Sequence, residues 1–243
     1  VPNSEEIVKM QELFTEAVAS VDEGLMEKYF EGENFTYEVK ISALKAGMAS
    51  AEICPVFAGI QQTGVGVPLF ADTLYACAAA ANGTEVQVTK DGASGIVQVD
   101  SAQKPLAIVF KTVADPFVGK LSYFKVIGGS VTGDTKLFNS RTLAEVRLGK
   151  VMYPKAAKQE DALEINAGDI GVAAKLNEVL TGDTLSAVQG VSVTFTDFPR
   201  PCFSMAVYPQ NKGDEEKITS GLMRLCEEDP TVLVRYDDDT REQ

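Results

Sequence analysis

The chain has 243 residues, of which 45% are hydrophobic, and its formal net charge is −13. Such a length allows one large domain or two to three small ones, and the apolar fraction is sufficient for a buried core. No apolar run approaches the ~20 residues of a membrane-spanning helix. The negative net charge argues against nucleic-acid binding by the surface as a whole.

Residues 1–81 are predicted to be mainly helical. Apolar residues recur every three or four positions between Ile7 and Phe30, a spacing that places them on one side of a helix. We predict that Gly24 divides this run into two helices and that Asp22 caps the second of them.

A strand, a loop and a helix are predicted after a third helix, which is expected to begin at Thr36 and to stop at Gly47. The apolar run over residues 51–59 is suited to a buried strand, and a glycine-rich loop leads from it into a helix over residues 68–80. This unit alone cannot bury both faces of its strand, so we expect the neighbouring strands to lie outside this chain.

An antiparallel β-barrel is predicted over residues 104–193. Short β-rich runs alternate there with Gly-Gly, Thr-Gly-Asp and Ala-Gly-Asp turns, at the intervals of about ten residues that are typical of small barrels. Residues 82–103 are predicted to be a linker that can form a hairpin, with candidate turns at Asn82-Gly83, Asp91-Gly92 and Ser94-Gly95. The segments at 167–169 and 181–184 are interpreted as backbone turns rather than as metal-binding loops.

A truncated ferredoxin-like β-α-β unit is predicted over residues 199–243. It would consist of a strand over residues 202–209, a helix over residues 211–229 and a strand over residues 231–236. The expected fold class is therefore a multi-domain α+β protein with an antiparallel barrel at its centre.

No catalytic residue and no metal site are predicted in this chain. None of its four cysteines forms a C-x-x-C pair, and histidine is absent, which excludes a Ser-His or Cys-His pair within the chain and disfavours zinc. Free thiols are typical of a reducing compartment. The acidic runs at 227–229 and 237–239 are interpreted as solvated ends and turns, because they lack the ligand spacing of a calcium loop.

Charge is distributed unevenly along the chain. Residues 104–159 contain ten basic and three acidic side chains, whereas residues 1–40 and 160–198 are strongly acidic. Two interpretations stay open: the barrel presents one face to phosphates, or its strands simply have Lys and Arg on their solvated face.

Four stretches in collinear order, spanning essentially the whole chain, resemble the elongation factor G family. They are ELFTEAVASVDEGLMEKYFEGE, ADPFVGKLSYFKVIGGSVTGDTKLFNS, AGDIGVAAKLNEVLTGDTL and the segment around DEEKITSGLMRLCEEDPT. The resemblance implies a central fragment: residues 1–81 as the end of a P-loop GTPase domain with its helical insertion, residues 104–193 as the translation-protein-type barrel of domain II, and residues 199–243 as the first half of domain III.

The resemblance also implies a parent protein that hydrolyses GTP with Mg²⁺ and moves tRNA and mRNA through the ribosome. The phosphate loop G-x-x-x-x-G-K-[ST] and the Asn-Lys-x-Asp motif are absent from this chain, so we predict that the fragment alone is inactive and binds no cofactor. The family's last guanine-contacting loop, Gly-Ser-Ala, matches Gly59, Ile60 and Gln61. Isoleucine has no hydroxyl to offer, although backbone amides could still face the base.

The implied partners are the ribosome, through small-subunit rRNA at the barrel, and GTP or GDP in the parent, with a cytoplasmic location and no membrane contact. Phosphate contacts are sequence-independent and weaken as salt rises. The candidates are the basic residues Lys111, Lys120, Lys125, Lys136, Arg141, Arg147 and Lys150. The aromatic residues Phe117, Tyr123, Phe124 and Phe138 are predicted to lie in the core rather than to stack on bases.

Two alternatives stay open at this point. One is a ribosomal-protection or release-type translational GTPase that shares the barrel, which the departure at Ile60 allows. The other is a non-enzymatic ribosome-binding module that reuses the barrel, which predicts that the coding sequence before Val1 contains no phosphate loop.

Overall fold

The structure, a computed structural model, describes residues 4–115, 118–156, 158–211 and 213–235. The chain consists of two compact units that divide between Ala80 and Ala81, and each is described here by itself. Among the described helices, none combines the length and the apolar character that crossing a membrane requires.

The first unit contains the helices α1 (Ser4–Ala19), α2 (Glu23–Phe30), α3 (Tyr37–Ala49) and α4 (Val67–Cys77). The predicted cap at Asp22 is confirmed, because it accepts the Leu25 N–H at 3.1 Å. Thr36, where the third helix was expected to begin, is its N-cap and accepts the Val39 N–H at 3.4 Å. The break between α1 and α2 lies at residues 20–22, just before α2 begins. Gly24 itself lies inside α2, so its predicted role as the divider is wrong.

Gly47 does not stop α3, which continues through it to Ala49. A Cβ atom at this position would lie 2.7 Å from Ile53 Cδ1 and 2.9 Å from Val21 Cγ2. The glycine therefore permits close approach of neighbouring side chains to the helix rather than ending it.

Residues 51–59 form no strand in this chain, whose sequence predicted that the neighbouring strands lie outside it. The run has no strand partner in the described part of this unit, and Val56 is 92% exposed. A strand is defined by hydrogen bonds to a neighbour, so an apolar run alone does not produce one. A single bridge joins Ile60 to Val65 after this run.

The second unit is built on antiparallel strands. Their bounds are β1 (Glu85–Lys90), β2 (Ala93–Gln98), β3 (Leu106–Asp115), β4 (Gly119–Gly128), β5 (Ser130–Thr132), β6 (Lys136–Asn139), β7 (Glu145–Arg147), β8 (Val151–Lys155), β9 (Lys158–Asp161), β10 (Glu164–Asn166), β11 (Ile170–Ala174), β12 (Thr184–Ser186) and β13 (Val191–Val193). Eight of them form one sheet in the order β7-β6-β12-β3-β4-β11-β8-β9, and β5 pairs with β10 separately.

Most strands of the large sheet share one apolar core with β5 and β10, as the barrel prediction requires. The barrel-type α+β fold class is confirmed. The hydrogen-bonded ladder does not run continuously around the cylinder, because β7 and β9 are edge strands among the described residues. The buried core residues are Ala107, Val109, Phe124, Val126, Val131, Leu137, Leu148, Val151, Ile165, Ala173, Leu176, Val179 and Leu185.

The predicted hairpin before the barrel is confirmed. Strands β1 and β2 pair around Asp91 and Gly92, whose positive φ angles of 51° and 84° suit a two-residue hairpin turn. The hairpin is more than a linker, because β1 also pairs with β13 and Val88 packs in a second core cluster with residues of β3 and β4.

The third predicted region forms its helix, α5 (Glu215–Glu228). The described residues at 202–209 and 231–235, predicted to be strands, form none, and Thr231 lies in a turn. In a split β-α-β arrangement the two strands are separated by another strand, so they do not pair with each other. The positions 236 and 237–239 lie outside the described residues.

Candidate functional site

The loop that resembles a guanine-contacting segment is tightly folded. Ile60 donates its N–H to the Val65 carbonyl at 2.9 Å and accepts the Gly64 N–H at 2.9 Å. The Ile60 side chain is exposed, and Gln61 is exposed beside it. The N–H groups of Gly59 and Gln61 have no hydrogen bond to any described residue, so this loop leaves both as available backbone donors.

Gly66 holds both ends of this loop together at the start of α4. Its φ angle is 84°, and an added Cβ atom would lie 2.3 Å from the Ala58 carbonyl oxygen and 3.0 Å from the Gly59 Cα atom. Both neighbours are backbone atoms, which cannot rotate away. The loop is therefore fixed at the N-terminal end of α4 by a contact that only glycine permits.

We expect Gly66→Ala to destabilise the first unit by about 2–4 kcal/mol, since the positive φ angle and the backbone clash act together. Gly64→Ala is the matched control, because Gly64 has a φ angle of 74° with no atom within 4 Å of an added Cβ. It should cost only about 1 kcal/mol. Urea denaturation followed by resonances of the first unit measures both, and equal losses would show that the close approach is unimportant.

Five of the seven basic candidates are ion-paired. The pairs are Lys120 with Glu227, Lys136 with Glu145, Arg141 with Asp183, Arg147 with Asp134, and Lys150 with Asp161. Those of Lys136, Arg147 and Lys150 are exposed on both sides and have N–O distances of 2.8, 2.9 and 2.6 Å. The nearby carboxylates offset their attraction for phosphate.

Arg141 belongs to a partly buried polar network that the sequence did not indicate. Its Nε donates to Asp183 Oδ1 at 2.8 Å, and its Nη2 donates to Asp183 Oδ2 at 3.0 Å and to the Glu178 carbonyl at 2.7 Å. The Asp183 side chain is only 5% exposed, whereas that of Arg141 is 47% exposed. The hydrogen bonds to Asp183 raise the pKa of the Arg141 guanidinium, against the opposing effect of burial.

Asp183 also organises the turn that contains it. It accepts the Leu180 N–H at 2.9 Å and the Asn139 Nδ2–H at 2.7 Å, while Gly182 has a φ angle of 94°. The turn interpretation of residues 181–184 is therefore confirmed. The additional role of Asp183 as the partner of Arg141, 42 residues away in sequence, has no local sequence signal.

Unlike the exposed candidates, Lys120 has a largely buried side chain. Its side chain is 7% exposed, its Nζ lies 3.4 Å from Glu227 Oε2, and it donates to the Asn177 carbonyl at 3.0 Å. Glu227 belongs to α5, so the acidic run at 227–229, predicted to be solvated, contacts the barrel instead. The reason is a tertiary contact between segments that lie far apart in the sequence.

Lys111 and Lys125 are the two candidates without an ion pair in the described part of the chain. Lys111 lies opposite Tyr123 on the paired strands β3 and β4, and Lys125 lies two residues beyond Tyr123. Because Phe124 between them is in the core, Tyr123 and Lys125 point to the outer face. The two lysines thus lie on the same outer face, on either side of the register shift between Val109 and Lys111.

Aromatic residues divide between the core and this outer face. Phe124 is fully buried, which confirms its prediction. Tyr123 is half-buried, and its ring centroid lies 6.5 Å from that of Phe110. Phe138 is half-buried as well, and Phe117 lies outside the described residues. The outer face therefore has two lysines beside two aromatic rings, an arrangement compatible with RNA contact.

Comparison with known proteins gives two family matches. The family model described as elongation factor G domain 2 matches residues 104–188, and the one described as Elongation Factor G, domain III, matches residues 198–243. Together they span more than half of the chain, in the order in which the structure has the barrel and α5.

A crystal structure of a protein from Thermus thermophilus is similar to the whole chain. It has a TM-score of 0.78 and 24% sequence identity, and the alignment covers 100% of this chain and 35% of that one. At this identity the likeness shows the fold. The chain spans about a third of the length of the solved chain that it matches.

Proposed function

The chain belongs to the elongation factor G family, and from this premise we propose that it is the ribosome-contacting part of a cytoplasmic translational GTPase. The parent would promote translocation and hydrolyse GTP with Mg²⁺, using phosphate-binding motifs that this sequence does not contain. The observation that supports the proposal is the collinear match to two successive domains of one translation factor.

The proposed contact of this chain with the ribosome is made to phosphates of small-subunit rRNA. Lys111 and Lys125 are the best placed of the candidates, since neither is neutralised by a carboxylate among the described residues. A lysine that releases counterions from the RNA contributes to affinity whatever the base sequence, and its contribution falls as salt rises.

The nucleotide contact of this chain is proposed to be minor. In the loop at residues 59–61 the Ile60 N–H is used within the loop, and Ile60 supplies no side-chain hydrogen bond. The match to elongation factor G models favours a translocase-type parent over a ribosomal-protection or release-type factor, and over a non-enzymatic module.

Binding of the 243-residue chain to isolated small ribosomal subunits tests the proposal. We expect the logarithm of the affinity to fall linearly with the logarithm of the salt concentration. Lys111→Gln and Lys125→Gln should each reduce the steepness of that fall by about one and weaken binding several-fold at low salt.

Lys136→Gln is the matched control, because Lys136 is also an exposed strand lysine but pairs with Glu145 at 2.8 Å. It should change the affinity little. Absence of binding at about 50 mM salt would contradict the proposal. A loss in Lys136→Gln equal to that in Lys111→Gln would contradict the assignment of the contact to the unpaired lysines.

A further inference from the structure

The end of α5 is electrostatically unfavourable by itself. Glu227 and Glu228 occupy its last turn, Asp229 follows as the C-cap, and the last turn contains no basic residue. The carboxyl end of a helix has a partial negative charge, so carboxylates placed there are repelled by it. An external source of positive charge or of N–H donors is needed to offset this repulsion.

The barrel supplies both. The Ala114 N–H of β3 donates to Glu228 Oε1, and the Lys120 ammonium of β4 lies 3.4 Å from Glu227 Oε2. Ala114 and Lys120 are register partners on the two strands. One small area at the end of the β3–β4 pair therefore receives two successive carboxylates of the helix.

Little apolar burial supports this contact. None of the side chains described in α5 is fully buried: Ile218, Leu222 and Cys226 are half-buried, and Met223 and Leu225 are 54% and 49% exposed. The described part of the helix contributes no residue to either core cluster. Charge and hydrogen bonding, which salt screens, therefore contribute to its position on the barrel beside a partial apolar contact, which salt does not weaken.

We propose that Lys120, Glu227 and Glu228 form a releasable electrostatic latch that holds α5 against the barrel. When the latch opens, the Lys120 ammonium regains water and the last helical turn loses the charges that offset its own carboxylates. Release of the helix and fraying of its last turn are therefore coupled, which makes the contact a switch between two discrete states.

Amide hydrogen exchange of the full chain, measured by NMR, tests the latch directly. The Ala114 N–H donates to Glu228, so its exchange reports the open state. We expect Glu228→Ala to accelerate it about ten-fold or more, since a hydrogen bond to a charged group is lost. Glu227→Gln should accelerate it less, and the amides in the last turn of α5 should follow in both variants.

Two controls separate the latch from general destabilisation. Glu216→Gln changes an exposed carboxylate in the first turn of the same helix, remote from the latch, and it should leave Ala114 protected. The Val109 and Val126 amides, which donate within the barrel to the Asp183 and Asp169 carbonyls, should keep their exchange rates in every variant.

Raising the salt concentration from about 0.05 to about 0.5 M provides a test without any substitution. The Ala114 amide of the unmodified chain should then exchange several-fold faster while the barrel amides do not. Ala114 exchange that is insensitive to salt, or equally affected by Glu216→Gln and Glu228→Ala, would overturn the latch.

Discussion

Replacing Asp183 by Asn should lower the free energy of unfolding of the second unit by about 3 kcal/mol, the largest electrostatic effect expected in this chain. The carboxylate is nearly inaccessible and accepts hydrogen bonds from Arg141, Asn139 and the Leu180 N–H. An amide at this position turns an NH₂ group toward donors, so at least one buried hydrogen bond is replaced by a donor–donor contact.

The control is Asp134→Asn, which breaks an aspartate–arginine ion pair of a single hydrogen bond on the surface. Asp134 accepts from Arg147 Nη2 at 2.9 Å, and both side chains are exposed. Its φ angle of 71° is one that asparagine tolerates as well as aspartate, so only the charge changes, at a cost of about 0–1 kcal/mol.

Urea denaturation followed by NMR resonances of the second unit measures both aspartate variants without interference from the first unit. Equal losses in Asp183→Asn and Asp134→Asn would mean that burial of the carboxylate is unimportant. The same experiment gives, for each variant, the slope of the unfolding free energy against urea concentration. An unchanged slope shows that the variants differ in stability and not in the surface exposed on unfolding.

Phe124→Ala should destabilise the barrel by about 3–5 kcal/mol, because it removes the largest fully buried side chain of the core. The ring lies against Gly171, where an added Cβ would be 2.6 Å from Phe124 Cζ, and that position also faces Ile165. Strand β11 is held at this distance by hydrogen bonds to β4, so the cavity cannot collapse freely.

Tyr123→Ala is the control for Phe124→Ala. It removes the neighbouring aromatic residue on the same strand, but from the half-buried outer face, where solvent fills the space that the ring leaves. We expect it to cost less than half as much in the same urea experiment. A Tyr123 variant as unstable as the Phe124 variant would contradict the assignment of the two faces of β4.

Features that depend on neighbouring residues were predictable from the sequence. The caps at Asp22 and Thr36 and the hairpin turn at Asp91-Gly92 follow from side-chain and backbone chemistry within three or four positions. The burial of Phe124 follows from alternation along a strand. In each case the physical cause lies within a few residues of the feature.

Features that depend on distant residues were not predictable. The apolar run at 51–59 has the composition of a strand but no neighbouring strand among the described residues. Gly47 is of a residue type that suits a helix stop but instead accommodates Ile53 and Val21 beside the helix. Basic residues identified by composition alone could not be separated into paired and unpaired ones, because Lys120 and Arg141 find their carboxylates far along the chain.

The pairing of β1 with β13 fixes where the polypeptide enters and leaves the barrel. Val88 faces Val193 and Lys90 faces Val191, so the segment before β1 and the segment after β13 depart from the same end of this ladder. Tension applied to those two segments would peel the ladder open one residue pair at a time rather than shear it. The strands between β1 and β13 therefore form an excursion of the chain that starts and ends at one place. Replacing those intervening strands while keeping β1 and β13 would leave the flanking segments almost as close together as before.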